Sequence, residues 1–127
     1  MKTIINSICA AVLISLFCLS PAYGDTSANE TDAKIKKIKS EITKLIKSGR
    51  EMEQYRTRIN DLDKANLCEE KKNEYLTIAI HIGEEVKTLS KHLELRMAVF
   101  DVVNCTSCSS EALIACDEAE INLSNVK

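Results

Sequence analysis

The sequence predicts an all-α fold, a small hairpin or bundle of long amphipathic helices that disulfides cross-link near the C-terminus. Apolar residues recur at helical spacing in two long stretches of the chain. After the first 24 residues there is no Trp and no Pro, and such a composition disfavours a sheet protein with many turns. Four cysteines remain in that part of the chain, and in an exported protein an even number of cysteines indicates disulfides.

Residues 1–24 have the pattern of a secretory signal peptide. Lys2 gives a positive start, the chain from Ile4 to Leu19 is nearly all apolar, and small residues precede a cleavage site at Gly24. The apolar run is shorter than the roughly 20 residues that span a bilayer. We therefore expect cleavage near Gly24, a periplasmic or secreted location, and a single helical domain over residues 25–127.

The first amphipathic helix follows a short polar segment, residues 25–31, that is expected to be loose. Thr31 or Asp32 is the expected N-cap. The apolar stripe then recurs at intervals of three and four, as a buried helix face does; it consists of Ile35, Ile38, Ile42, Leu45 and Ile46. The same phase continues past Gly49 to Met52, Tyr55, Ile59 and Leu62. The pattern predicts one helix over about 32–65, or a kinked pair that divides at Gly49.

A second stripe predicts a longer helix, over about 70–103, after a turn region at 61–72. Its residues keep helical phase past Gly83; they are Tyr75, Ala79, Ile82, Val86, Leu89, Leu93, Met97 and Phe100. Residues 104–110 read as a loop. A last short helix over about 110–122 offers four side chains for burial, which are Leu113, Ile114, Cys116 and Ile121.

The cysteines conflict with a straight second helix. Such a helix would be about 50 Å long, with Cys68 at one end and Cys105 and Cys108 at the other. A disulfide needs its two Cα atoms within about 7 Å of each other. Either the chain bends near Gly83 and Cys68, Cys105, Cys108 and Cys116 form two intrachain bonds, or Cys68 stays free or bonds to another molecule.

No catalytic residue, metal ligand or cofactor is predicted. Cys105 and Cys108 form a C-x-x-C, but a redox-active pair belongs in a strand-helix setting, and the sequence shows no strand. His81 and His92 would lie about 16 Å apart on a straight helix, too far to share a metal ion. The 19 acidic and 17 basic residues are no nucleic-acid footprint. We therefore expect a protein that is not an enzyme and binds no nucleic acid.

Charge is segregated along the chain. Residues 34–50 carry seven basic side chains and one acidic one, whereas residues 101–126 carry five acids and no base. The stripe from Ile35 to Ile46 could pack within the fold or a homo-oligomer, enter a partner's groove, or contact a membrane surface. Packing is favoured because the stripe contains no Trp or Phe and its phase continues beyond residue 50. It is also the candidate interaction face.

The function expected from these observations is that of an exported, non-enzymatic helical protein acting by protein–protein interaction. It would be an accessory of a conjugation or secretion system, or an inhibitor or immunity protein. The alternative is a membrane-active or toxic exported protein that uses the basic amphipathic helix at 33–49. A thiol enzyme using Cys105 and Cys108 is the third class.

Overall fold

A computed structural model describes residues 23–127, and these residues form helices joined by turns, with no strand in that range. The helices are α1 (Tyr23–Glu51), the single turn α2 (Glu53–Arg56), α3 (Leu62–Lys87), α4 (Leu93–Cys105) and α5 (Ala112–Ser124). The predicted all-α class is confirmed. The predicted signal peptide, residues 1–24, lies outside the described residues except for its last two.

The chain divides into two compact units, 1–35 and 36–127, and the boundary falls within α1. The described part of the first unit is helical from Tyr23 onward, so the prediction of a loose segment at 25–31 is wrong. There the Thr31 hydroxyl donates a hydrogen bond to the Ser27 carbonyl, 3.0 Å away, as helical threonines often do. The second unit contains the remaining helices and both disulfides.

The part of α1 in the second unit is amphipathic, as predicted. Ile38 and Ile42 are completely buried, and Leu45 and Ile46 are nearly so. The helix runs through Gly49 and ends at Glu51, earlier than the expected end at 65. A turn over 57–61 follows α2, and Asp61 then caps α3 by accepting a hydrogen bond from the Asp63 amide at 3.0 Å.

The predicted long helix at 70–103 is wrong, because the chain forms two helices separated by residues 88–92. The break follows Thr88, whose amide and hydroxyl both donate to the Glu85 carbonyl, at 3.3 and 2.7 Å. Such a local side-chain bond competes with the helical pattern. Leu89 is buried and holds the turn against the core. Gly83, where a bend was expected, is inside α3.

This break resolves the conflict between periodicity and cysteines. Since α4 returns antiparallel to α3, Cys108 reaches Cys68 with a Cα–Cα distance of 6.0 Å. Residues 106–111 then reverse the chain again, and Cys105 bonds to Cys116 with a Cα–Cα distance of 4.5 Å. Of the alternatives, the structure has two intrachain disulfides near its C-terminal end.

The part of α1 in the second unit contacts the three longer helices that follow it, α3, α4 and α5. Lys37 pairs with Glu85 of α3 at 2.9 Å, and Arg50 pairs with Asp117 and Glu120 of α5 at 2.8 and 2.6 Å. At Gly49 the helix passes so close to α4 that a Cβ added there would collide with the sulfur of Cys105. The basic helix therefore does lie beside the acidic C-terminal helix.

Arg56 is a buried arginine that ties the C-terminal ends of α1 and α4 together. Its Nη2 donates to the carbonyls of Gly49 and Cys105 at 2.8 and 2.7 Å, and its Nε donates to the Ser107 carbonyl at 2.8 Å. Its Nη1 donates to Glu53 at 3.0 Å. Because the last carbonyls of a helix have no intrahelical partner, one guanidinium here satisfies the ends of two helices.

Candidate protein-interaction face

Three large apolar side chains of α4 point to solvent. Leu93 is 62% exposed, Met97 is 46% exposed and Phe100 is 69% exposed. With Asn104 they lie along one side of the helix at intervals of four, three and four residues, and this side is called the outer face of α4. Isolated exposed apolar residues are ordinary, but a continuous row of them on one helix indicates a contact surface.

The opposite side of α4 enters the core. Its residues recur at intervals of three and four and are fully buried; they are Leu95, Ala98, Val102 and Cys105. The prediction that Leu93, Met97 and Phe100 belong to the buried stripe is therefore wrong. The turn at 88–92 ends the phase of α3, and the disulfide at Cys105 then fixes which side of α4 faces inward.

On one flank of the outer face, an apolar groove of about 550 Å³ separates α4 from α3. Its walls are formed by Ile80, Gly83, Val86, Val99, Phe100 and Val103. Ile80 is itself mostly exposed, so the apolar surface continues from α4 onto α3. The rim carries Arg96 and an ion pair between Lys87 and Glu84 at 2.6 Å.

On the other flank, Met97 borders a depression of about 300 Å³ between α4 and α5. Ile121 lines it from α5 and is mostly exposed. Its polar wall includes Glu118 and the pair Asn122–Asp101, in which the Asn122 amide donates to Asp101 Oδ2 at 2.7 Å. The surface therefore extends over three helices and is more acidic toward α5.

The predicted burial of Leu113, Ile114 and Ile121 is wrong, because α5 turns its alanines inward. Cys116 must face α4 to bond with Cys105, and residues at helical spacing from it share that side. The buried residues on that side are Ala112, Ala115, Ala119 and Leu123. Small side chains let the two helices approach closely, and the larger apolar residues remain outside.

The five residues predicted as an interaction face lie inside the protein. Ile35, Ile38, Ile42, Leu45 and Ile46 are all buried, so in this structure a partner cannot reach them. The surface open to a partner is instead the outer face of α4 and its flanks. In the sequence, this face could have been found only by placing Cys105 in the inward row of α4, because it is disulfide-bonded. Leu93, Met97 and Phe100 would then lie on the outer side.

The basic side chains of α1 have different surroundings. Lys36, Lys44 and Lys47 are exposed, whereas Lys39 donates to the Val126 carbonyl at 3.1 Å. The hydrogen bond to Glu85, with the charges of Glu41 and Glu85, raises the pKa of Lys37. The most basic segment of the chain is thus partly occupied in holding α1 to its neighbours.

The cysteines and histidines are not brought together into a reactive group. Cys105 and Cys108 belong to different disulfides, so they do not form a dithiol pair. His81 is on α3, with Nε2 3.9 Å from Glu85, and His92 precedes α4 across the break. Within residues 23–127 no cluster of His, Cys, Asp and Glu is arranged to hold a metal ion.

In the same range, no helix has the length and apolar character needed to cross a bilayer. Comparison with protein-family models, curated proteins and solved structures finds no match to this chain. Its function must therefore be inferred from the fold and its surface.

Proposed function

We propose that this is an exported, non-enzymatic protein that acts by binding another protein chain through the outer face of α4. The observation that carries the proposal is the exposure of Leu93, Met97 and Phe100 in one row on α4, beside an apolar groove. The first stripe is buried from Ile35 to Met52, and only its predicted continuation at Ile59 and Leu62 is exposed. An exposed aromatic residue beside an apolar groove is the kind of anchor that contributes most to protein interfaces.

Export is part of the proposal. Two disulfides suit an oxidising compartment, and the predicted signal peptide would deliver the chain to the periplasm or the exterior. A role as an accessory of a secretion or conjugation system, or as an inhibitor or immunity protein, fits a small disulfide-bonded protein whose main surface feature is a helix face. The choice among these roles depends on the partner.

The alternative, a membrane-active protein using residues 33–49, has less support from the geometry. A helix that lies in a bilayer interface inserts its apolar side, and here that side is buried. The exposed lysines of α1 alone would provide only an electrostatic attraction, which salt weakens. We therefore place the functional surface on α4.

Site-specific photocrosslinking in the producing cell tests the proposal. A photoreactive phenylalanine analogue at position 100 should give a defined adduct with a protein of the exported fraction. The same analogue at position 62 is the matched control, because Leu62 is 73% exposed and lies at the start of α3, outside the groove lining. No adduct at 100, or equal adducts at 100 and 62, would contradict the proposal.

A second measurement separates binding from crosslinking chemistry. Phe100→Asp places a charge at the centre of the face and should reduce the yield of an adduct formed from position 97 at least tenfold. Leu62→Asp should leave that yield unchanged. Circular dichroism should show equal helicity for both variants, since both positions are exposed.

A further inference from the structure

We propose that the chain covering the outer face of α4 is a second copy of the same protein, with the two α4 helices side by side and parallel about a two-fold axis. This inference rests on the proposed function, because it names the partner of the same surface. Closed two-fold dimers are the commonest protein assemblies, and each copy contributes the same patch.

The residue spacing on the face is that of a helix-pairing seam. Leu93, Met97, Phe100 and Asn104 follow one another at intervals of four, three and four residues, which matches positions d, a, d and a of a heptad. An Asn at one a position, such as the exposed Asn104, specifies register and oligomeric state in paired helices. This seam is already helical and exposed in the single copy, so pairing does not require helix formation.

Charges beside the seam select the parallel arrangement. Arg96 occupies the g position on the α3 side, and Asp101 occupies the e position on the α5 side, five residues later. In parallel helix pairs, the g position of one helix lies beside the e position five residues later on the other. Arg96 of each copy would therefore lie beside Asp101 of the other, which gives two equivalent ion pairs. Glu94 lies at the preceding e position. An antiparallel pair would instead place Glu94 of each copy beside Asp101 of the other, and these like charges repel.

The surface around the seam is large enough for a specific contact. A parallel two-fold pair turns the α3 flank of each copy toward the α5 flank of the other, so Ile80 lies toward Ile121 of the second copy. With Ile114, which is also exposed on α5, each copy contributes six large exposed apolar side chains. Their burial would remove on the order of 1,000 Å² from water, near the lower limit for a biological interface. We therefore expect a reversible dimer.

Sedimentation equilibrium of the mature protein, residues 25–127, measures this directly. The average molecular mass of the wild type should rise with protein concentration toward twice the mass of the monomer. Phe100→Asp and Met97→Asp should each weaken the association at least tenfold, and Leu62→Asp should not change it. A wild type that is monomeric up to about 1 mM, or a Leu62→Asp variant as weak as Phe100→Asp, would overturn the inference.

The charge pair gives a test that does not depend on the apolar core of the interface. Arg96→Glu places two like charges together in the parallel pair and should weaken dimerisation. Adding Asp101→Arg should restore part of the loss by reversing the pair. Because Asp101 also bonds to Asn122, the Asp101→Arg single variant is compared in thermal unfolding to show that it folds. Additive losses in the double variant would exclude an Arg96–Asp101 contact between copies.

Orientation is tested by a cysteine at the seam. Leu93→Cys faces its own equivalent in a parallel pair, so mild oxidation should yield a covalent dimer. In an antiparallel pair position 93 would face position 104 instead, and such a dimer should not form. Leu62→Cys is the control, and peptide mapping must show the two native disulfides intact. Failure of Leu93→Cys to exceed the control would reject the parallel arrangement.

Failure of this inference is distinguishable from failure of the proposed function. Suppose that the wild type is monomeric, but that position 97 gives an adduct with a different protein and Phe100→Asp abolishes it. The second copy is then excluded as the partner, and the outer face of α4 is still supported as the interaction face. If the wild type is monomeric and no adduct forms from position 97 or 100, both are wrong.

Discussion

Gly49 is required because α1 and α4 are in contact at that point. An added Cβ would collide with the Cys105 sulfur and lie 2.8 Å from the Cys105 carbonyl oxygen, so the two backbones could not stay this close. The sequence suggested a helix end or a kink at this glycine, since glycine is common at both. The contact that explains it comes from residues 56 positions later in the chain, which no local pattern shows.

We predict that Gly49→Ala destabilises the fold by about 2 kcal/mol, although alanine is the better helix former. Gly83→Ala is the control, because its Cβ would meet Val99 Cγ1 at an ordinary 3.6 Å. That change should be neutral or stabilise by up to about 1 kcal/mol. Urea unfolding with the disulfides intact measures both, and equal effects would argue against the close approach.

Arg56 belongs to no periodic pattern in the sequence, yet its guanidinium donates hydrogen bonds to three backbone carbonyls. We predict that Arg56→Met costs about 3 kcal/mol, since it leaves those buried acceptors without donors. Arg56→Lys should recover only part of the loss, because an ammonium cannot reproduce the planar fork. Arg58→Met, at an exposed position, should change the unfolding free energy by less than about 0.5 kcal/mol.

Helix α4 shows how a helix can be predicted correctly while its orientation is not. Two rows of apolar residues run along it, and the sequence favoured the row that continues the phase of α3. The break after Thr88 involves neither Gly nor Pro, so the usual signals were absent. The disulfide to Cys116 selects the other row, and both the outer face of α4 and the exposed residues of α5 follow from it.

The orientation of α4 can be measured by comparing one residue from each row. Leu95 is completely buried, and Leu95→Ala should cost between about 2 and 5 kcal/mol. Phe100→Ala removes a larger side chain from an exposed position. At protein concentrations where the chain is monomeric, it should cost less than about 1 kcal/mol. If Phe100→Ala were the more destabilising change, the assignment of the Leu95 row of α4 to the core and the Phe100 row to the surface would be wrong.

The two disulfides differ in accessibility, and their order of reduction should reflect this. Cys68, Cys105 and Cys116 are all fully buried, and of the four bonded cysteines only Cys108 is partly exposed. We therefore predict that a mild reductant opens Cys68–Cys108 first, because exchange requires the attacking thiolate to reach a sulfur. Timed alkylation followed by peptide mass analysis gives the order. Simultaneous loss of both bonds would instead indicate that reduction proceeds through global unfolding.

At the scale of the molecule, composition and periodicity were sufficient for the fold class and the inward face of α1. Four cysteines in an otherwise helical chain also implied cross-links. Because a straight second helix would keep Cys68 far from the other cysteines, a bend in the chain was one of the predicted alternatives. The pairing, the place of the bend and the functional face could not be obtained in this way. They depend on contacts between helices. In α5 the buried residues are mostly alanines, which are less hydrophobic than the exposed isoleucines of the same helix, so hydrophobicity along the sequence points to the wrong side.

Export remains a prediction for the whole chain, and the mature terminus tests it. We expect the protein recovered from the exported fraction to begin at Asp25, and intact mass spectrometry gives this directly. The same spectrum should show the mass of four cysteines paired in two bonds, four hydrogens lighter than the reduced chain. A full-length protein confined to the cytosol would contradict the prediction.

The overlapping bridges determine how the folded chain would respond to tension. A pull on its two ends travels from residue 68 through one sulfur bond to 108, back to 105, and through the second bond to 116. The bridges bypass residues 69–104 and 109–115, which include most of α3 and nearly all of α4. These segments cannot be drawn out at the roughly 3.5 Å per residue of an extended strand. Once both disulfides have formed, the chain cannot pass through a narrow pore as one extended strand. If the chain is exported through such a pore, as proposed, its passage must come before the closing of its bridges.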